Sequence, residues 1–291
     1  MNNPVSTNWY ADPESRVYGD MVYMYVTKSL PFEEQLNLDL VTTKDLENFE
    51  IYKDILDMST FSSATFAVWA PTVVERKGKY YLIFAANDIH SEDETGGLYI
   101  GVSDDPKGPF KNVLKDGKPL LNKFYNGAQP IDAHFFKDDD GEIYLIYGGW
   151  CHMNVCIMND EMNGFKAIPE PCADGVAREI TPAEYKEAPY VMKVDGKYHL
   201  MYSTGTWTNG TYAVKAAVTD NLLFGFEYYD TVLKSSDIAV GPGHNSAFCF
   251  KGKHFVAYHR RIPGDKYPHN RLLCIDKLEI KDGKLQPVTM T

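Results

Sequence analysis

The chain has 291 residues, 44% hydrophobic and 24% charged, which is the ordinary balance of a globular protein. A net charge of −11 supplies no basic field to gather phosphates, so neither a nucleic acid nor an anionic membrane is the expected partner. No stretch is long and apolar enough to span a bilayer, and the opening MNNPVSTNWYADPE lacks the basic and apolar regions of a secretory signal. A cytoplasmic location is expected, a secreted chain with its signal removed being the alternative. Five cysteines at irregular spacing predict reduced thiols, with Cys151 and Cys156 of CHMNVC in the core.

Aromatic content of 13% leans toward strands, and the predicted strands recur in chain order. YADPESRVYGDMVYMYVT runs from Tyr10, with Asp12 ahead of a turn at Gly19. WAPTVVERKGKYYLIFA begins at Trp69, turns at Gly78 and is followed by the strand LYIGVSD. IDAHFFKDDDGEIYLIYG carries Asp132 and turns at Gly141; its acidic run is a hairpin turn, since no EF-hand ligand series follows. TPAEYKEAPY holds at most a short helical turn. EAPYVMKVDGKYHLMYS then carries Glu187 and turns at Gly196, leading to AVKAAVTD. GHNSAFCFKGKHFVAYH starts at Gly243, with His244 ahead of the turn at Gly252.

In the three closest copies the turn glycine follows Trp69, Asp132 and Glu187 by nine residues. The five turn glycines lie 59, 63, 55 and 56 residues apart, the span of a four-stranded sheet with its loops. The repeat therefore predicts an all-β fold, a five-bladed β-propeller, as a single domain over residues 1–291. The first strand of each blade lines the central channel, so Asp12, Trp69, Asp132, Glu187 and His244 converge at one mouth. Carboxyl groups held this close raise one another's pKa and favour a protonated acid near neutrality.

Singly, each of these residues has a plain reading. Asp12-Pro13 starts loops in many proteins, Asp132 suits a buried structural aspartate, and Glu187 suits a solvated acid. The shared repeat phase is what sets them apart. Trp69 reads equally as a sugar-stacking platform or as core, and Trp150 and Trp207 follow strands where a cleft wall is one of two outcomes. His134, His199 and His254 lie within strand runs and read as packing or surface residues, and HSEDE near His90 reads as a solvated loop.

The series YADPES, WAPTVV, IDAHFF, EAPYVM and GHNSAF, in this order, resembles glycoside hydrolase family 43, the arabinofuranosidase, xylosidase and arabinanase family. The resemblance runs from about Asn3 to Val288. It implies inverting hydrolysis of an oligo- or polysaccharide, with Asp12 as the general base, Glu187 as the general acid and Asp132 as the carboxylate that orients the acid. It further implies that Arg271 in HNRLLC contacts substrate and the carboxylate cluster. His244 would sit beside a bound calcium or other cation in the channel, although one imidazole cannot by itself hold an oxygen-seeking ion. No cofactor is implied for the chemistry. Ala133 and Ala188 stand where many members carry Pro and Gly. The expected activity is an exo-acting α-L-arabinofuranosidase or β-xylosidase on arabinan- or arabinoxylan-derived substrates. An endo-arabinanase and a non-catalytic carbohydrate-binding propeller are the alternatives, and oligomeric state is left open.

Overall fold

The repeat folds as five antiparallel sheets, each opened by a hairpin whose turn chemistry is written in the sequence. A computed structural model describes residues 3–291. Blade one comprises β1 (Tyr10–Tyr18), β2 (Met21–Lys28), β3 (Leu38–Thr43) and β4 (Glu50–Tyr52). Blade two comprises β5 (Trp69–Arg76), β6 (Lys79–Ala86), β7 (Gly97–Ser103) and β8 (Lys111–Asn112). Blade three comprises β9 (His134–Lys137), β10 (Ile143–Tyr147), β11 (Asn154–Ile157) and β12 (Arg178–Glu179). Blade four comprises β13 (Glu187–Val194), β14 (Lys197–Thr204), β15 (Ala213–Thr219) and β16 (Glu227–Leu233). Blade five has β17 (Val240–Phe250), β18 (Lys253–Arg261) and β19 (Leu272–Lys277), and a short hairpin of β20 (Ile280–Lys281) and β21 (Lys284–Leu285) follows. Within each blade the strands pair in sequence order. The fold is the predicted five-bladed β-propeller.

Both ends of the chain meet in blade five, a closure the repeat did not reveal. Asn3 Oδ1 accepts the Ile275 N–H at 2.9 Å, Val5 N–H reaches Leu273 O at 3.0 Å, and Trp9 bridges Leu272. The opening residues thus cover the free edge of β19, which ties the ring shut and leaves no exposed strand edge there. Five apolar cores fill the five interfaces between neighbouring blades, with Phe84, Leu145, Leu200, Val256 and Ile275 among their buried members. Burying each such side chain contributes about 1.5–3 kcal/mol.

At Lys77-Gly78, Asp195-Gly196 and Lys251-Gly252 both turn residues have positive φ, as two-residue hairpins matched to strand twist require. A second left-handed residue recurs near the start of each first strand: Asp12 (φ 52°), Ala70 (48°), Asp132 (53°), Ala188 (59°) and His244 (42°). Strand register shifts at this point in β1, β5, β13 and β17, which makes it a β-bulge that re-aims side chains. This corrects the phase inferred from constant spacing. Asp132 aligns with Ala70 and Ala188, not with Trp69 and Glu187. Blade three hides the shift because its hairpin turn, closed by Asp138 N–H to Glu142 O at 2.9 Å, holds one residue more than the Lys77-Gly78 type.

Below the bulges the axis is filled by a polar network from several blades. Glu14 pairs with Arg16, whose Nη2 donates to Phe135 O at 2.7 Å, while Ser15 N–H donates to Ser246 Oγ at 2.9 Å. His134 lies in this network, with Nδ1 3.6 Å from Glu14 Oε2. Cys156 is buried as expected, but Cys151 is exposed, because it follows the left-handed Trp150 in a loop that leaves the sheet. Among the described residues no helix is long and apolar enough to cross a membrane.

Candidate active site

The blades differ in which of two successive residues at the left-handed turn reaches the axis. Blades two and four present the residue before the left-handed one, Trp69 and Glu187; blades one, three and five present the left-handed residue itself, Asp12, Asp132 and His244. All five line a cavity of about 370 Å³. Arg271, Trp150 and Trp207 line it too, so the cavity gathers every site residue singled out from the sequence. Another cavity of about 400 Å³ opens at the hairpin ends of the first strands, between Arg16, Tyr18, Lys137 and Lys193, and holds none of them. The chemistry-bearing groups decide between the two.

The three carboxyl groups are nearly buried and electrostatically unequal. Burial alone would raise Asp12, but Arg271 Nη1 lies 3.1 Å from its Oδ1, and the guanidinium holds the carboxyl well below the usual carboxylate range. His244 Nδ1 lies 3.3 Å from Asp12 Oδ1 and 3.6 Å from Asp132 Oδ2, and it faces both acids. Burial pushes His244 down and His259 down to about 4, so neither imidazole carries the charge of an arginine at neutral pH. His259 Nδ1 accepts the Asp12 backbone N–H at 3.2 Å, which suits a neutral ring. Asp132 goes the other way: burial, then the charges of Glu187 and Asp12, hold it well above the usual range. Glu187 is also raised, first by burial, against the pull of a Tyr212 hydroxyl that donates to Oε1 at 2.9 Å. One site therefore holds an ionised carboxylate beside a pair that retains a proton, the division general acid–base chemistry requires.

The walls are aromatic. Phe32 meets Trp69 edge to face at 4.9 Å, and Arg271 lies 5.2 Å from the Trp207 ring centroid. Trp69 Nε1 donates to Gln35 Oε1, which fixes the indole plane. Trp150, 40% exposed, leans on Phe124 and His90 at the rim.

Sequence reasoning missed Phe32, Asp88, Gln129, Ile131, Lys186, Thr206 and Tyr212, all of which line the cavity, and His259 behind it. His90, read as part of a solvated loop, lines the cavity as well, because the chain bends back at Asn87 and Asp88. Ile131 was recoverable: it precedes the left-handed Asp132 as Glu187 precedes Ala188. Tyr212 had one indirect signal in Gly243. A Cβ there would stand 2.1 Å from the Tyr212 ring, so the glycine of PGHNSA is what admits the tyrosine to Glu187.

A channel cation held beside His244 would take most of its ligands from water. His244 offers one imidazole whose Nδ1 faces Asp12 and Asp132, and the acid farther down the axis, Glu14, is already paired with Arg16. Among the described residues no group of three or more His, Cys, Asp or Glu is placed to hold a metal.

Comparison with known proteins agrees with this geometry. The β-D-galactofuranosidase of Aspergillus niger is 34% identical over 99% of this chain and 85% of its own length. The β-xylosidase of Xylanibacter ruminicola is 30% identical over 73% of this chain and 71% of its own. An α-L-arabinofuranosidase structure from Clostridium thermocellum superposes with a TM-score of 0.77 at 26% identity, covering 98% of this chain and 95% of that one. The sequence model for glycosyl hydrolases family 43 matches residues 1–285. The chain belongs to glycoside hydrolase family 43 and is a glycoside hydrolase.

Proposed function

We propose that the protein is an inverting, exo-acting glycosidase that releases single pentose units, α-L-arabinofuranosyl or β-xylosyl, from arabinan- or arabinoxylan-derived chains. In this reading Asp12 is the general base that activates water, Glu187 the general acid that protonates the leaving oxygen, and Asp132 the group that orients Glu187. The observation that carries it is the electrostatic split within one cavity: Arg271 holds Asp12 ionised while Glu187 and Asp132 are raised. An inverting pair must leave room for a water between its two carboxyl groups, so this reading requires Asp12 and Glu187 to stand about 6.5–9.5 Å apart. The exo reading is supported by the walls, where Asp88, His90, Thr206 and Trp207 crowd a space of about 370 Å³ into a pocket. The xylosidase and arabinofuranosidase likenesses support the pentose.

The likeness to a galactofuranosidase favours a second reading, release of a hexofuranose. Initial rates on nitrophenyl arabinofuranoside, xylopyranoside and galactofuranoside, and on linear arabinan, separate these readings. Turnover of a pentoside with no internal cleavage of arabinan supports the first; galactofuranoside as the best substrate supports the second. Internal cleavage of arabinan sinks the exo reading, and no turnover on any arm sinks both. In this proposal the chemistry needs no cofactor, and a chelator arm leaves the rates unchanged. Loss of rate with recovery on added calcium is the opposing result.

A further inference from the structure

The loop leaving β6 carries a carboxylate that neither the catalytic reading nor the protein's own hydrogen bonds use. Asn87 and Asp88 both have positive φ, 74° and 42°, a costly pair of non-glycine conformations that persist where surroundings over-determine them. The surroundings here are specific. Asn87 Oδ1 accepts the Thr65 N–H at 2.8 Å and its amide donates to Ser63 O at 2.6 Å. Ile89, 1% exposed, plugs inward, and its carbonyl accepts Gln129 Nε2 at 2.9 Å. Gly96 closes the loop so tightly that a Cβ would stand 2.4 Å from Ile89 Cγ2.

Asp88 is thus held between two anchored residues with its side chain on the cavity wall, 25% exposed. Among the described residues its carboxylate accepts no hydrogen bond; His90 Nε2, at 3.7 Å, is too far to donate one, and that ring is 63% exposed. Glu94, the other charge near it, repels. A partly buried acceptor-only group with no protein donor is met by water when the cavity is free and by the donors of a ligand that displaces that water. Sugars meet it with neighbouring hydroxyls, whose O–H groups match the two oxygens of one carboxylate.

We propose that Asp88 is a specificity-determining residue that binds substrate by accepting hydrogen bonds from a vicinal pair of sugar hydroxyls. This rests on reading the cavity as the sugar site, and it adds a ground-state contact outside the reacting groups. The test is steady-state kinetics of D88N and D88A on the nitrophenyl glycoside that the wild type hydrolyses fastest, with calorimetric titration of the matching free sugar. Charge-assisted hydrogen bonds of this kind correspond to about a 10- to 100-fold loss of affinity. D88A is expected to raise KM, and weaken sugar binding, by that factor with kcat within about threefold, D88N falling between it and wild type. Melting temperature should not fall, because the carboxylate holds nothing in the protein and burial and Glu94 disfavour its charge. KM and sugar affinity within twofold of wild type in both variants overturn the proposal, as does a fall in kcat at constant KM. A wild type that hydrolyses no glycoside yet binds a sugar tests Asp88 by titration alone, and it is then the catalytic reading that falls.

Discussion

Replacing Arg271 should move the whole pH profile. Arg271 Nη1 lies 3.1 Å from Asp12 Oδ1, both side chains are 9% exposed, and a second bond runs from Nε to Ser29 Oγ at 2.8 Å. At an effective dielectric of about 20, charges 3.1 Å apart interact by roughly 5 kcal/mol, about four pKa units at 1.36 kcal/mol each. Water entering the space left by R271M screens part of this, so a rise of about two units is expected for Asp12. The sign follows from its role: a general base works ionised, so activity fails as pH falls through its pKa. A higher pKa brings that failure to higher pH. Arg271 also lowers Asp132 and Glu187, so the alkaline limb, set by loss of the acid's proton, should rise too. The assay is kcat/KM from about pH 3 to 9 for wild type, R271M and R271K. Lysine keeps the charge and loses the stacking on Trp207, so R271K should lose rate but keep an acid limb near that of wild type. An acid limb that stays in place in R271M would refute the reasoning.

Asp132 carries a raised pKa, so its contribution to stability is present below its unfolded value and is lost as pH rises toward the folded one. D132N should melt about 2–6 °C higher than wild type at pH 7, corresponding to roughly 1–3 kcal/mol, with little difference near pH 3 and a large loss of kcat; a lower melting point at pH 7 in scanning fluorimetry contradicts it. Tyr212 stabilises the ionised form of Glu187 through its hydroxyl, so Y212F should raise the alkaline limb by about one unit while the ring keeps its stack on His259. A limb that stays or falls counts against that assignment. Ala188 holds φ 59°, where a Cβ costs about 1–2 kcal/mol and glycine none beyond its chain entropy. A188G should therefore gain about 0.5–1 kcal/mol in denaturant unfolding, and a loss of stability would count against strain at the bulge.

The repeat made the propeller and the convergent residues legible, because both depend on local chemistry that recurs. Hairpin turns need positive φ, strands need aromatic and β-branched residues, and the axis receives one or other of two successive residues at the start of each blade. Asp12, Asp132 and Glu187 could be found this way without any partner being known. Constant spacing misjudged the phase by one residue at Asp132, since a longer turn in blade three offsets the count while the bulge, not the turn, aims the side chain. What lay outside the repeat stayed hidden. Tyr212 and Asp88 come from loops, and the closure of blade five joins Asn3 to Ile275; Arg271, which pairs with Asp12 across 259 residues, was legible through the family resemblance and not through the repeat. Such contacts are set by how blades meet, which no single stretch encodes. Cys151 was misplaced for a similar reason: its spacing from Cys156 says nothing of the loop that carries it out of the sheet.

The account depends on a water, activated by Asp12, striking the anomeric carbon from the face opposite the bond that Glu187 protonates. Proton NMR of the first sugar formed, recorded before mutarotation, reads this directly. The account predicts that the product appears with the anomeric configuration opposite to that of the substrate. A first product of unchanged configuration would contradict it.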